Sequence, residues 1–459
     1  LTIQAQPGEM TREPSMRKVP MPSDLASLNV SAPPLQSVTV RAVGPVLVMI
    51  AVTFNAFLCL VTTVAGIHFS AATIVVCELV ILAIGFYSVR ARITAPAMRI
   101  ILALTALLLG MKLVNPGLDL KILHDLAIDY VFYLLGTMVT LQQATRMVWI
   151  VTIGVLAVSS IEVLLPDFYN SIFNVWGYYV DKGVLTNAIN YGNTTTFISG
   201  IRGGVEARTF FPALLGQSRF SSVFLEPVSM GNFAVIIFAW CLSVRMRTAR
   251  LTALLIFLAA VCAILSDSRF AFVCWFLMIL LRISPLHRSK LMIFCIPLFA
   301  MMAIVLYALV EPPVFGRPFI LSDDFPGRLL FSGRLLDFWG WKQWFALAPS
   351  PIYVSDTGYA YAINALGLPI ALFMLALFAM QPAKTNEAAS MKAMLTVYMA
   401  TSLCIGANMF TIKTAALVWL MYGATNGLPA MMSAVARPGR RAVRYPVPAE
   451  RALSGQSIV

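Results

Sequence analysis

The chain has 459 residues, of which 59% are apolar and 12% charged, with a mean hydropathy of +0.83. Soluble proteins hold roughly 45–50% apolar and about 25% charged residues, so a water-soluble enzyme is excluded and a membrane protein is indicated. No soluble basic domain exists to carry the net charge of +13, which argues against a nucleic-acid partner and asks instead where the 33 Lys and Arg fall.

Residues 1–40 carry Pro7, Pro14, Pro20, Pro22, Pro33 and Pro34 without apolar periodicity and read as a disordered cytoplasmic tail. They are not a cleavable leader, because the first apolar run starts near Val43 and is long enough to span. Residues 436–459 read as a second, basic cytoplasmic tail. Between them, 41–435 read as one transmembrane domain with twelve apolar segments: 43–66, 71–89, 100–114, 126–144, 147–165, 228–244, 251–265, 270–281, 291–310, 359–380, 393–410 and 414–432. Helices are expected, because a span must satisfy its own backbone in lipid and these runs are too uniformly apolar for barrel strands. The expected fold is all-α and polytopic, with about twelve transmembrane helices. No internal repeat is evident.

With both termini cytoplasmic, 21 of the 33 positive residues fall on the cytoplasmic side. Most of the outside remainder clusters in two long loops, 166–227 and 311–355, and one tight turn. Loops of that length are usually functional or disordered, and these are rich in aromatic residues. Arg202, Arg208, Arg219, Arg269, Arg317, Arg328 and Arg334 oppose the orientation rule there. Planar guanidinium groups suit a phosphate-bearing ligand, although pairing with Glu206, Asp323, Asp324 or Asp337 is an equal reading for any one of them.

The turn Ser266-Asp267-Ser268-Arg269 joins two short apolar segments. At 1.5 Å per residue these reach roughly 22 and 18 Å against about 30 Å of hydrocarbon, so the turn is expected in a recess, with an Asp267–Arg269 pair as the bland reading. Glu226 precedes Pro227 at the start of the sixth segment and reads as a capping carboxylate or a catalytic one.

Phe168, Tyr169, Phe173, Trp176, Tyr178 and Tyr179, with Phe338, Trp339, Trp341, Trp344 and Phe345, read as an interfacial belt with a minority of rings facing a sugar groove. Glu78 is a lone mid-span carboxylate, a coupling site in a transporter or a neutral core group. His68, His124 and His287 are scattered, and the seven cysteines lie in apolar stretches as packing residues. Neither pattern indicates a metal.

Four stretches carry a resemblance: 219–231 (R-F-S-S-V-F-L-E-P-V-S-M-G), 266–271 (S-D-S-R-F-A), 332–334 (S-G-R) and 356–368 (D-T-G-Y-A-Y-A-I-N-A-L-G-L). With them the chain resembles the Wzy-type bacterial polysaccharide polymerases and O-antigen ligases, most of all exopolysaccharide polymerases of the xanthan kind. The resemblance implies a GT-C-like glycosyltransferase of the inner membrane with periplasmic loops and no metal or other cofactor. Donor and acceptor would be undecaprenyl-pyrophosphate-linked oligosaccharides, and a chain-length co-polymerase and a flippase would be partners. Arg202, Arg208, Arg219, Arg269, Arg328 and Arg334 would bind substrate, and Glu226, Asp267 or Asp356 would take the acceptor proton. The ligase branch carries a His where this chain has Gly358, which favours the polymerase. An O-antigen-type ligase and a lipid-linked oligosaccharide flippase or other secondary transporter remain the alternatives.

Overall fold

The computed structural model describes residues 38–185, 215, 216, 218–310, 325–352, 354 and 357–427. The expectations for the two tails therefore lie outside the described residues, except that helix already runs from Val38.

The described residues are helical throughout, without a β-strand. In chain order the helices are α1 (Val38–Ala65), α2 (Ala71–Val89), α3 (Ala95–Val114), α4 (Lys121–Gly136), α5 (Leu141–Leu164), α6 (Pro166–Ile172), α7 (Val175–Asp181) and α8 (Pro227–Ser243). They continue with α9 (Ala249–Leu265), α10 (Arg269–Ile283), α11 (Lys290–Val310), α12 (Phe325–Phe338), α13 (Trp341–Trp344), α14 (Gly358–Leu366), α15 (Leu368–Met380), α16 (Asn386–Ile405) and α17 (Ile412–Asn426). Hydroxyl caps set many of the starts: Ser70, Thr94, Thr140, Thr248, Ser268 and Thr385 each accept a hydrogen bond from a backbone N–H in the first turn.

Each of the twelve apolar segments holds helix, with three departures, one being that 393–410 leaves α16 at Gly406 and ends in a single 3-10 turn, Asn408–Phe410. The segment 126–144 is broken after Gly136, because Thr140 and Gln143 form a capping box that starts α5. The segment 359–380 is two helices bent by 108° at Gly367, whose φ of 76° lies in the region that glycine tolerates. Among the described residues six helices are long and apolar enough to cross a membrane, or seven if that bent pair is one span. The chain is thus a polytopic helical membrane protein. Helices α4 and α8–α10 are shorter, at 15 to 17 residues.

Burial separates core from periphery. The apolar window of α3 is 6% buried and that of α16 is 83% buried, so α16 is an inner helix and α3 faces lipid, as does α2 through Val75, Val76, Leu79, Val80 and Ile84. Helices α8, α16 and α17 form the centre. Helix α4 packs closest on α17, where Gly136 meets the backbone at Leu420 and Gly423, and Gly423 meets Tyr133. Small residues at such a crossing let two backbones touch. Buried Cys59, Cys241, Cys262, Cys274 and Cys404 serve as packing residues.

Two ends of the bundle follow from long-range bonds. At one end, the 65–71 connection meets α7 through His68 and Asp181, and the start of α17 meets the residues before α8. We call this the loop end. At the far end, Arg282 Nε donates to Leu242 O and Lys384 N to the Asn426 side chain.

Candidate functional site at the loop end

The approach to α8 is a strained turn held by a buried carboxylate. Ser222 (φ 53°) and Leu225 (φ 62°) are left-handed, a conformation that costs about 1–3 kcal/mol each in non-glycine residues. Glu162 at the end of α5 is 7% exposed. It accepts the Ser221 N–H at 3.0 Å and the Ser222 N–H at 2.7 Å, together with the Ser221 hydroxyl. Tyr169 OH donates to Ser222 O, and Ser222 Oγ donates to Val155 O. Sequence reading missed Glu162; its signal was a carboxylate inside an apolar run.

This turn carries 219–231 onto 266–271. Arg219 Nε donates to Ser266 O at 3.0 Å, and Phe220 N to Leu265 O at 3.0 Å. Ser266, Asp267 and Ser268 are buried, with Asp267 left-handed at φ 46°. Gly231 lies so close to Ser268 that any Cβ there would collide with it. Two stretches separated in sequence therefore form one unit, with Arg269 opening α10. The turn is buried within the protein, and polar flanks lengthen its helices to 17 and 15 residues.

Glu226 occupies the N-cap position of α8, but its side chain makes no cap bond. It accepts instead from Lys413 Nζ at 3.0 Å, Tyr179 OH at 2.5 Å and Ser229 Oγ at 2.9 Å. Lys413 also donates to Phe224 O and is 8% exposed. Burial raises the Glu226 carboxyl; the Lys413 ammonium and the two hydroxyls outweigh it and hold the group below the usual carboxylate range. Burial pushes Lys182, just past α7, below the ordinary lysine value, and the Lys413 charge adds to that push while Glu226 and Glu78 oppose it.

Glu78 is not alone. His124 on α4 stands 3.9 Å from it, and the adjacent Asp125, 1% exposed, accepts from Lys121 at 3.0 Å and from Tyr361 OH at 2.6 Å. The charges of Glu78, Lys121, Lys413 and Glu226 all reach Lys182, so these groups share one electrostatic neighbourhood. The reading of Glu78 as isolated is corrected by His124, while the three histidines remain apart from one another, His68 meeting Asp181 at 2.6 Å. The sequence had no signal for this, since the partners lie on different helices.

Of the other expected site residues, Arg328 and Arg334 lie on α12, which packs on α11 through Gly333, with Arg334 exposed. They stand on a different element from Arg219 and Arg269. Arg202, Arg208, Arg317 and Asp356 lie outside the described residues. The aromatic belt is corrected in part: Tyr169, Trp176, Tyr178 and Tyr179 are buried inside the protein, as is Trp339, whereas Phe168, Phe338, Trp341 and Phe345 are exposed. At Gly358 a Cβ would collide with Gly406 and Leu403, which leaves no room for a side chain.

The fold and this site define a polytopic helical membrane protein with a paired ionic cluster at one end of its bundle. No protein-family model, curated protein or solved structure matches the chain.

Proposed function

We propose that the protein is a GT-C-like, metal-independent glycosyltransferase that polymerises exopolysaccharide repeat units. It would cross the bacterial inner membrane twelve times with both termini in the cytoplasm and work at the periplasmic face. The observation that carries the reading is the docking of 219–231 onto the 266–271 turn, which sets Arg219 and Arg269 on one unit. Two guanidinium groups there would hold the pyrophosphate of a lipid-linked donor and stabilise its charge as it leaves, each charge-assisted hydrogen bond contributing about 1.5–3 kcal/mol. The acceptor hydroxyl of a second undecaprenyl-pyrophosphate-linked oligosaccharide would attack the anomeric carbon, giving its proton to a carboxylate. Glu226 is engaged by Lys413, Tyr179 and Ser229, so we place the base at Asp267 or Asp356 and give Glu226 the role of fixing Lys413. Arg202, Arg208, Arg328 and Arg334 would contact the carrier-bound chains, and a flippase and a chain-length co-polymerase would act beside the enzyme.

The ligase alternative loses ground at Gly358, where the His of that branch would not fit. A second reading, a transporter of lipid-linked oligosaccharide, draws on the Glu78–His124–Asp125 group beside α2 and α4.

Lipid analysis of a deletion strain separates these readings. A polymerase deletion accumulates single repeat units on carrier at the outer leaflet, and the intact gene but not Arg269→Ala at equal level restores polymer. Repeat units confined to the inner leaflet would support the transporter, polymer that forms without attachment would support the ligase, and normal polymer would sink all three.

A further inference from the structure

The far end of the bundle holds a cleft of about 490 Å³, a volume in the range of small-molecule sites. It opens between the turn Pro285–Arg288, the start of α11, the 381–385 connection and the start of α16. His287, Arg288, Lys290, Lys384 and Lys392 line it, and among the described residues no carboxylate does. Thr385 caps α16 and is tied to Thr425 O, and Lys384 N is tied to Asn426, so the connecting segment is anchored.

Two side chains indicate a ligand. Lys392 is 2% exposed and gives two of its three N–H groups to Ala379 O and Gln381 O, at 2.9 and 2.6 Å. Lys290 stands close enough for its positive charge to act on Lys392. His287 Nδ1 meets Ser284 O at 2.8 Å, whereas its buried Nε2 has no hydrogen-bond partner among the described residues. The end of α11 that faces the cleft is an N-terminus without an acidic residue in its first turn and adds positive potential, whereas α16 carries Glu387 in its first turn. Like charges gathered at a partly buried site destabilise it unless an anion offsets them.

Orientation in the membrane alone calls for basic residues at one face but not for a cavity. Arg245 and Arg247 in the connection between α8 and α9, with Arg250 in the first turn of α9, satisfy the same tally and line no part of the cleft.

We infer that this cleft binds an anion carrying more than one phosphate group, held by Arg288, Lys290 and Lys384 at its mouth and by His287 and Lys392 within. The site stands apart from the loop-end cluster and does not depend on the function proposed for it. The same chemistry is offered by a bis-phosphate lipid headgroup from the adjacent leaflet and by a soluble diphosphate.

The test uses the purified full chain in nanodiscs. Calorimetry in phosphatidylcholine discs reads binding of inorganic pyrophosphate, and native mass spectrometry after reconstitution with cardiolipin reads retained lipid. Arg288 and Lys384 are exposed, so the R288Q/K384Q pair leaves the fold intact. One of the two probes is expected to bind and to lose at least about tenfold in affinity or occupancy in that pair, one charge-assisted contact being worth roughly that factor. Cardiolipin alone would identify a headgroup site, and pyrophosphate in discs without anionic lipid a soluble one. Binding of neither probe, binding undiminished in R288Q/K384Q, or an equal loss in R245Q/R247Q overturns the inference.

Discussion

The two ends of the bundle handle charge in opposite ways. At the loop end, basic side chains and carboxylates stand opposite one another: Lys413 on Glu226, Lys121 on Asp125, His124 near Glu78 and His68 on Asp181. At the far end, five basic side chains line one cleft, and among the described residues no carboxylate joins them. Paired charges are positioned by each other and hold their geometry before any substrate arrives, whereas charges of one sign wait for something from outside. A site that must orient reacting groups suits the first arrangement, and a site that recruits a ligand suits the second.

The comparison breaks most visibly at Lys413. Lys413→Met leaves Glu226, 27% exposed, to the Tyr179 and Ser229 hydroxyls. Removing one partner of a fully buried pair costs about 3–5 kcal/mol, so a loss of about 2–3 kcal/mol is expected for this partly exposed one. Denaturant unfolding in detergent should show that loss, and Lys413→Met combined with Glu226→Gln should recover a large part of it. A double variant as unstable as the sum of its parts would mean that the pair is not a unit. Next comes Glu162→Gln, which replaces a carboxylate accepting two backbone N–H groups by an amide that accepts with one oxygen. The expected loss is roughly 1.5–3 kcal/mol, and the proposed polymerase reading adds a lowered polymer yield as the 219–231 segment loosens. Yield unchanged at matched expression would show that the strained turn does not position the site. The smallest effect belongs to His68→Asn. With the His68 side chain 72% exposed, the change should stay within about 0.5 kcal/mol in the same unfolding assay, and a larger one would show that the α1–α2 connection is part of the paired cluster.

The helical framework was legible because long apolar runs have few other solutions in lipid. The bend at Gly367 was less so, although Gly367 followed by Leu368 and Pro369 is a local signal for a stop and a fresh start. At the site, the stretches around Arg219 and Asp267 stood out individually, yet their contact depends on the turn held by Glu162, whose signal, a carboxylate inside an apolar run, does not say what it holds. The Lys413–Glu226 pair bridges 187 positions, and Lys413 sits in an otherwise unremarked Thr-Ile-Lys-Thr start of α17. Periodicity reports which face of a helix is apolar; it carries no information on which distant helix supplies a counter-charge.

The close fit of α4 on α17 has a consequence for biosynthesis. Asp125 and Asp129 are buried on α4, and Tyr133 of the same helix receives a hydrogen bond from Asn426, 293 positions later. At roughly 5–20 residues per second the ribosome needs about 15–60 s to make that interval. During it, Asp125 has Lys121 on its own helix, but the Tyr133–Gly136 face of α4 lacks the helix that covers it, so α4 must wait at the membrane surface or against earlier helices. A chain cut before Ile412 would leave that face of α4 uncovered, which makes α17 the helix that licenses the fourth.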